Sequence, residues 1–158
     1  MLASSGVDFI ALTDHCLEIF FLGFAAVMIL RAVFTQGSIS LDSIFGAICA
    51  YLLLGMAWGS IYSVIEVARP GSFHATGEMA DALKSTESRG PVLVYYSFVT
   101  MTTVGYGDIT PVSPPARTMS WLEAMMGQFY IAVLVAGLVG IRLSQGPVKR
   151  TNDSDGGP

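Results

Sequence analysis

Long apolar runs separated by short polar stretches set the pattern of this chain. Residues 1–7 are small and polar, and from Phe9 the sequence turns apolar. Residues 17–34, with the turn before them, are long enough to cross roughly 30 Å of hydrocarbon at about 1.5 Å per residue. Asp8, Asp14 and Glu18 stand near the start of this run and Arg31 near its finish, where a long side chain can snorkel to an interface. A helix lying in the interface is the alternative reading. Residues 35–42 form a polar connector, and Ser43 is placed to cap the next helix. Residues 44–67 predict a stronger span, in which Gly46, Ala50, Gly55, Ala57 and Gly59 permit close helix approach while Tyr51, Trp58 and Tyr62 supply bulk. Glu66 and Arg69 mark its end, and Pro70–Gly71 stops it.

A polar loop with both charge signs occupies residues 73–90, with a weak helical pattern at Met79, Ala82 and Leu83. His74 within it is a candidate sensor of external pH, although an exposed loop histidine more often has no special task. Pro91 then stands at the preferred first-turn position of a helix over residues 92–101. That helix is too short to cross a membrane, and a half-helix at membrane depth is tolerated only inside protein, beside a cavity. After Pro111, Pro114 and Pro115 a further span runs over residues 117–143. On it, Gln128, Ile131, Val135 and Val139 fall on one stripe, and Glu123, Gly127, Tyr130 and Leu134 on an adjacent face. Arg142, Lys149 and Arg150 mark the end that the positive-inside rule places in the cytoplasm, and residues 146–158 read as a disordered tail.

Composition agrees. Of 158 residues, 53% are hydrophobic and 13% charged, against about 25% charged in soluble domains. A net charge of −4 does not suggest a nucleic-acid partner. Cys16 and Cys49 lie in apolar runs without metal-ligand spacing and read as buried free thiols. No positively charged start precedes the first apolar run, so no cleaved signal peptide is expected. No Ser/His/Asp, paired-carboxylate or HExxH constellation points to an enzyme.

The chemistry concentrates in TTVGYGD, residues 102–108. Gly105 and Gly107 alternate with residues that carry side chains, and glycine accepts positive φ at little cost. A chain that must turn successive carbonyls toward one axis needs such a pattern. The stretch from Thr103 to Asp108 resembles the selectivity-filter signature of potassium channels. The longer segment YSFVTMTTVGYGDITPVSPPAR resembles the pore region of compact prokaryotic two-helix members of that pore-domain family.

The resemblance covers roughly residues 41–145. It implies an all-α membrane protein built from an outer helix, a pore helix, a selectivity-filter loop and an inner helix, to which this chain adds an N-terminal hydrophobic helix. The expected division is 1–40 for that helix and its connector, 41–145 for the pore domain and 146–158 for the tail. One filter per chain implies a homotetramer, in the plasma membrane, with potassium as the permeant ion and no cofactor. The carbonyls of Thr103, Val104, Gly105 and Tyr106 are expected to ligate potassium, with the Thr103 hydroxyl innermost. Gly107 and Asp108 form the filter mouth, and Tyr95 and Tyr96 a cuff bracing Tyr106. Gly127 corresponds to the family's inner-helix hinge, and Gln128 with its stripe to the cavity wall. Val99 stands where a well-studied bacterial member carries a glutamate. Glu123 is an acid many relatives lack, expected either to support the filter through hydroxyls at Ser97, Thr100 or Thr102 or to add charge to the cavity. Arg31 alone is no voltage sensor. A weakly selective cation channel and a non-conducting modulatory subunit are the rival readings.

Overall fold

The computed structural model describes residues 2–35 and 41–144. The 36–40 connector and the tail with Lys149 and Arg150 lie outside the described residues. The elements in order are α1 (Leu2–Thr35), α2 (Leu41–Ala68), β1 (Phe73–Ala75), α3 (Glu78–Lys84), α4 (Thr86–Met101), β2 (Ile109–Pro111) and α5 (Pro114–Ser144). Among the described residues, three stretches are long and apolar enough to span a bilayer: Leu12–Thr35, Asp42–Ala68 and Pro114–Gly137. The protein is a mostly helical membrane protein, with the four pore elements and the added N-terminal helix in the expected order.

Helix α1 packs along α2 in antiparallel fashion. Its Ile29 and Val33 meet Gly46 near the start of α2, while His15 and Glu18 share a cavity with Ser63 and Val67 near its end. Phe20, Phe21 and Phe24 on α1 face outward. Helix α4 enters between α2 and α5 because two glycines make room. A Cβ at Gly59 would lie 2.6 Å from the Val94 Cγ2 and 2.7 Å from its Cα, and one at Gly55 would collide with the Phe98 ring.

Behind α4 the core holds Trp58, Tyr62, Phe73, Leu93, Tyr96 and Ile109. Tyr62, Phe73 and Tyr96 meet edge to face with centroids 5.1–5.3 Å apart, a geometry favoured by the ring quadrupoles.

Helix α1 begins at Leu2, ahead of the point where the sequence turns apolar. Three expectations need correction. Helix α4 begins at Thr86, so Pro91 sits inside it. The bond lost there is to the carbonyl of Glu87, an exposed residue, and water can replace it. Cys16 and Cys49 are exposed, not buried: they lie on surfaces of α1 and α2 that no other described residues cover. Finally, the loop after α2 holds a small antiparallel ribbon. Phe73, His74 and Ala75 pair with Pro111, Thr110 and Ile109, tying the loop to the segment just after Asp108.

Candidate functional site

The end of α4 sets the backbone of the 103–108 segment. The helix stops at Met101 with Thr102 as C-cap. Thr103 N–H then donates to the Thr100 carbonyl at 2.9 Å and Val104 N–H to the Val99 carbonyl at 3.0 Å. This is the Schellman pairing, which needs a left-handed residue just past the cap and usually finds glycine there. Here that residue is Thr103, with φ +60. A β-branched residue at positive φ is a genuine outlier, and such strain persists only where surrounding structure enforces it. Gly105 at φ +58 and Gly107 at φ +78 continue the alternation, with Val104 and Tyr106 between them outside the positive-φ set. Within one chain the segment is bare: Val104 is 52% and Tyr106 71% exposed.

Asp108 closes the segment. Its Oδ1 accepts from the Ile109 N–H at 3.0 Å, and its Oδ2 accepts from the Tyr95 hydroxyl at 2.5 Å. That bond to a carboxylate pushes the Tyr95 phenol up to about 12, so it remains a donor at ordinary pH. Within the chain Tyr95 bonds Asp108, and Tyr96 points the other way, its hydroxyl 2.7 Å from Ser120 Oγ and its ring against Tyr62 and Phe73. Consecutive residues on a helix lie about 100° apart, which is why one tyrosine reaches the segment and the other the core.

Glu123 is completely buried. Its Oε1 accepts from Ser97 Oγ on α4 and its Oε2 from the Tyr62 hydroxyl on α2. Ser97 Oγ also reaches the Gly55 carbonyl at 2.7 Å. One carboxyl therefore joins α2, α4 and α5. Of the hydroxyls expected to serve it, Ser97 does; Thr102 instead bonds the Phe98 carbonyl of its own helix at 2.5 Å.

Gly127 sits one turn further along the buried face of α5, where a Cβ would run into the carbonyl and Cγ of Met101. The last residue of α4 thus rests against this glycine. We expect Gly127→Ala to force α5 and α4 apart and to destabilise the folded protein by about 1–3 kcal/mol, the usual cost of overpacking. Gly140→Ala, with nothing within 4 Å of the added methyl, is the matched control. Thermal unfolding of both variants measures the difference.

Gln128, Ile131, Val135 and Val139 are all exposed on the single chain, on a face separate from Glu123 and Gly127. Three further residues join the site that the sequence pattern does not single out for it. Tyr62 reads in sequence only as interfacial bulk. Glu66 reads as an end charge, yet it accepts the Gly71 N–H at 2.7 Å and the Phe73 N–H at 3.1 Å, fixing the turn into β1. Ser120 carries no signal of its own; its hydroxyl donates to the Ala116 carbonyl at 2.8 Å while meeting Tyr96. Only the i, i+3 placement of Ser120 and Glu123 on one helix face hints at a shared network.

Comparison with known proteins agrees with this arrangement. The model of a family described as "Ion channel" matches residues 28–143. Two pore potassium channel c of Oryza sativa subsp. japonica is 33% identical over 94 residues, 57% of this chain and 17% of the relative. Inward rectifier potassium channel Kirbac3.1 of Paramagnetospirillum magnetotacticum is 36% identical over 93 residues, 59% of this chain and 25% of the relative. The chain therefore spans a quarter or less of the length of these two relatives. Protein LctB of Bacillus caldotenax is 29% identical over 129 residues, 75% of this chain and 92% of the relative. No solved structure gives a significant match. With a half-helix, a TVGYGD segment and two flanking spans inside the matched region, the chain belongs to the ion-channel family, in its group of potassium-channel pore domains.

Proposed function

We propose that the protein is a potassium-selective channel that conducts passively through a homotetrameric pore in the plasma membrane and performs no bond chemistry. The observation that carries this reading is the alternation of φ at Thr103, Gly105 and Gly107 on an exposed segment seated at the end of a half-helix. Alternating handedness cancels the winding of the chain and lets carbonyls of Thr103, Val104, Gly105 and Tyr106 face one axis. Four such chains replace the water shell of potassium with oxygen rings, and adjacent sites let ions push one another forward. The Thr103 hydroxyl adds the innermost ligand, which explains why a strained threonine occupies a glycine position. Asp108, held by Tyr95, fixes the mouth and draws in cations; Gly107 turns the chain into it. Gln128 and its stripe line the cavity below. The C-terminal end of α4, carrying partial negative charge, favours a cation there. Potassium is the substrate, not a cofactor, and the C-terminus faces the cytoplasm.

Reconstitution in liposomes tests this directly. The reversal potential in mixed potassium and sodium should follow potassium. A reversal potential that ignores the potassium gradient identifies a weakly selective cation channel, and no current from purified protein identifies a modulatory subunit. Assembly is expected to be fourfold, because a single chain leaves the filter backbone bare and exposes Trp121, Met125, Phe129 and Val133 along α5. Crosslinking in mild detergent should stop at the tetramer; a conducting dimer would overturn the one-filter argument. We further propose that Gly127 is the point at which α5 bends on opening. Altered open probability in the Gly127→Ala channels that remain folded would support the hinge, and an unchanged open probability beside the expected loss of stability would leave only the packing contact described above.

A further inference from the structure

The turn after α2, strand β1, α3 and the start of α4 border an open-sided cavity of about 440 Å3 whose wall includes Glu66, Phe73, His74, Leu83, Lys84 and Arg89. Three of these are basic or donor side chains and one is an acid. The acid is already engaged: Glu66 is 8% exposed and both its oxygens take backbone N–H groups, from Gly71 and Phe73. Arg89 donates its Nε to the Leu83 carbonyl at 3.0 Å, which orients the guanidinium fork. Among the described residues no carboxylate comes within ion-pair distance of it, although Arg89 also borders the neighbouring cavity that holds Glu18 and Glu87. Lys84 makes an exposed pair with Asp81 at 3.3 Å, a weak surface contact that rearranges easily. His74 is exposed on β1 and carries a ring N–H in either tautomer.

A rigid fork, a mobile ammonium and an imidazole around one concavity match a tetrahedral anion with several acceptor oxygens. We propose that the cavity beside the β1–β2 ribbon binds a phosphate group through Arg89, Lys84 and His74. One wall of this cavity is strand β1. Phe73, His74 and Ala75 pair with Pro111, Thr110 and Ile109, and Ile109 follows Asp108 directly. Occupancy therefore stiffens the chain leaving the proposed filter; this consequence, unlike the binding, rests on the channel reading.

The phosphate can be free in solution or part of an anionic lipid headgroup, and two arms separate these sources. In the first, the purified full chain in detergent is unfolded thermally in sodium phosphate and in sodium chloride of equal ionic strength. In the second, it is unfolded in phosphatidylcholine nanodiscs with and without phosphatidylglycerol. Arg89→Gln and Lys84→Gln are carried through both; the lysine is exposed, so its variant stays folded should Arg89→Gln not. Phosphate should raise the unfolding temperature of the native chain, and either variant should raise the half-saturating concentration by about tenfold, the loss of one charge-assisted bond. Stabilisation by phosphatidylglycerol alone, lost in the variants, assigns the headgroup as the source. No response in either arm, an equal response to chloride, or a response that survives in both variants overturns the proposal. Because unfolding is the readout, absence of potassium flux with an intact phosphate response would overturn the channel reading and leave this site standing.

Discussion

Gly105→Ala is expected to abolish potassium flux while leaving folding of the single chain intact. Gly105 sits at φ +58, and no neighbouring atom lies within 4 Å of the position a methyl would take. The penalty therefore comes from the backbone and not from a clash in this chain. Left-handed backbone costs an L-residue about 1–2 kcal/mol, so the four subunits of the proposed tetramer would together lose about 4–8 kcal/mol, and the population with a complete oxygen ring would fall by about a thousandfold or more. Relaxation to negative φ would rotate the adjoining peptide planes and turn carbonyls off the axis. Gly90→Ala is the control: that glycine is also uncrowded but has no positive φ, so its variant should conduct normally. Liposome flux under a potassium gradient reads both. Normal selective flux through Gly105→Ala would mean that the 103–108 segment is not the filter.

The second large effect is expected at Glu123. Glu123→Ala leaves the Tyr62 hydroxyl without its carboxyl partner, deprives Ser97 of one of two acceptors and opens a void in a fully buried position. Each buried polar group left unpaired costs about 1–3 kcal/mol. The loss should appear as a lower unfolding temperature and, in the proposed channel, faster decay of activity, because α2, α4 and α5 are no longer tied together at this carboxyl. Glu123→Gln keeps a donor and an acceptor in place and should conduct almost normally. A cavity charge predicts instead reduced conductance in both variants. The geometry argues for the tie, since Glu123 has no exposed surface and lies off the face that carries Gln128, Ile131, Val135 and Val139. Tyr62→Phe provides the cross-check. Its effect and that of Glu123→Ala should fall short of additive when combined, as expected for members of one network. Strict additivity would dissolve it.

The spans, the half-helix and the TVGYGD segment are legible in the sequence because each has a local cause. Apolar length sets a span, a proline-flanked apolar run too short to cross sets a half-helix, and paired glycines set the alternating backbone. The left-handed Thr103 is not legible, because a β-branched residue disfavours positive φ and only the folded end of α4 places it there. The partners of side chains are not legible, because they depend on which helix faces which. Glu123 stands out as a charge inside an apolar run, but Tyr62 lies 61 residues away and Ser97 lies 26 away. Only the approach of α4, admitted by Gly55 and Gly59, brings them to one carboxyl. Tyr95 and Tyr96 look equivalent as neighbours, and helical rotation alone sends one to Asp108 and the other to Ser120. The β1–β2 ribbon leaves no sequence signal because three-residue strands have too short a pattern to read; its pairing forms once Glu66 has fixed the turn that delivers Phe73 to Pro111. Local backbone preference thus wrote the TVGYGD segment into the sequence, whereas the ties that hold it in place exist only where long-range packing brings distant hydroxyls and carboxyls within reach.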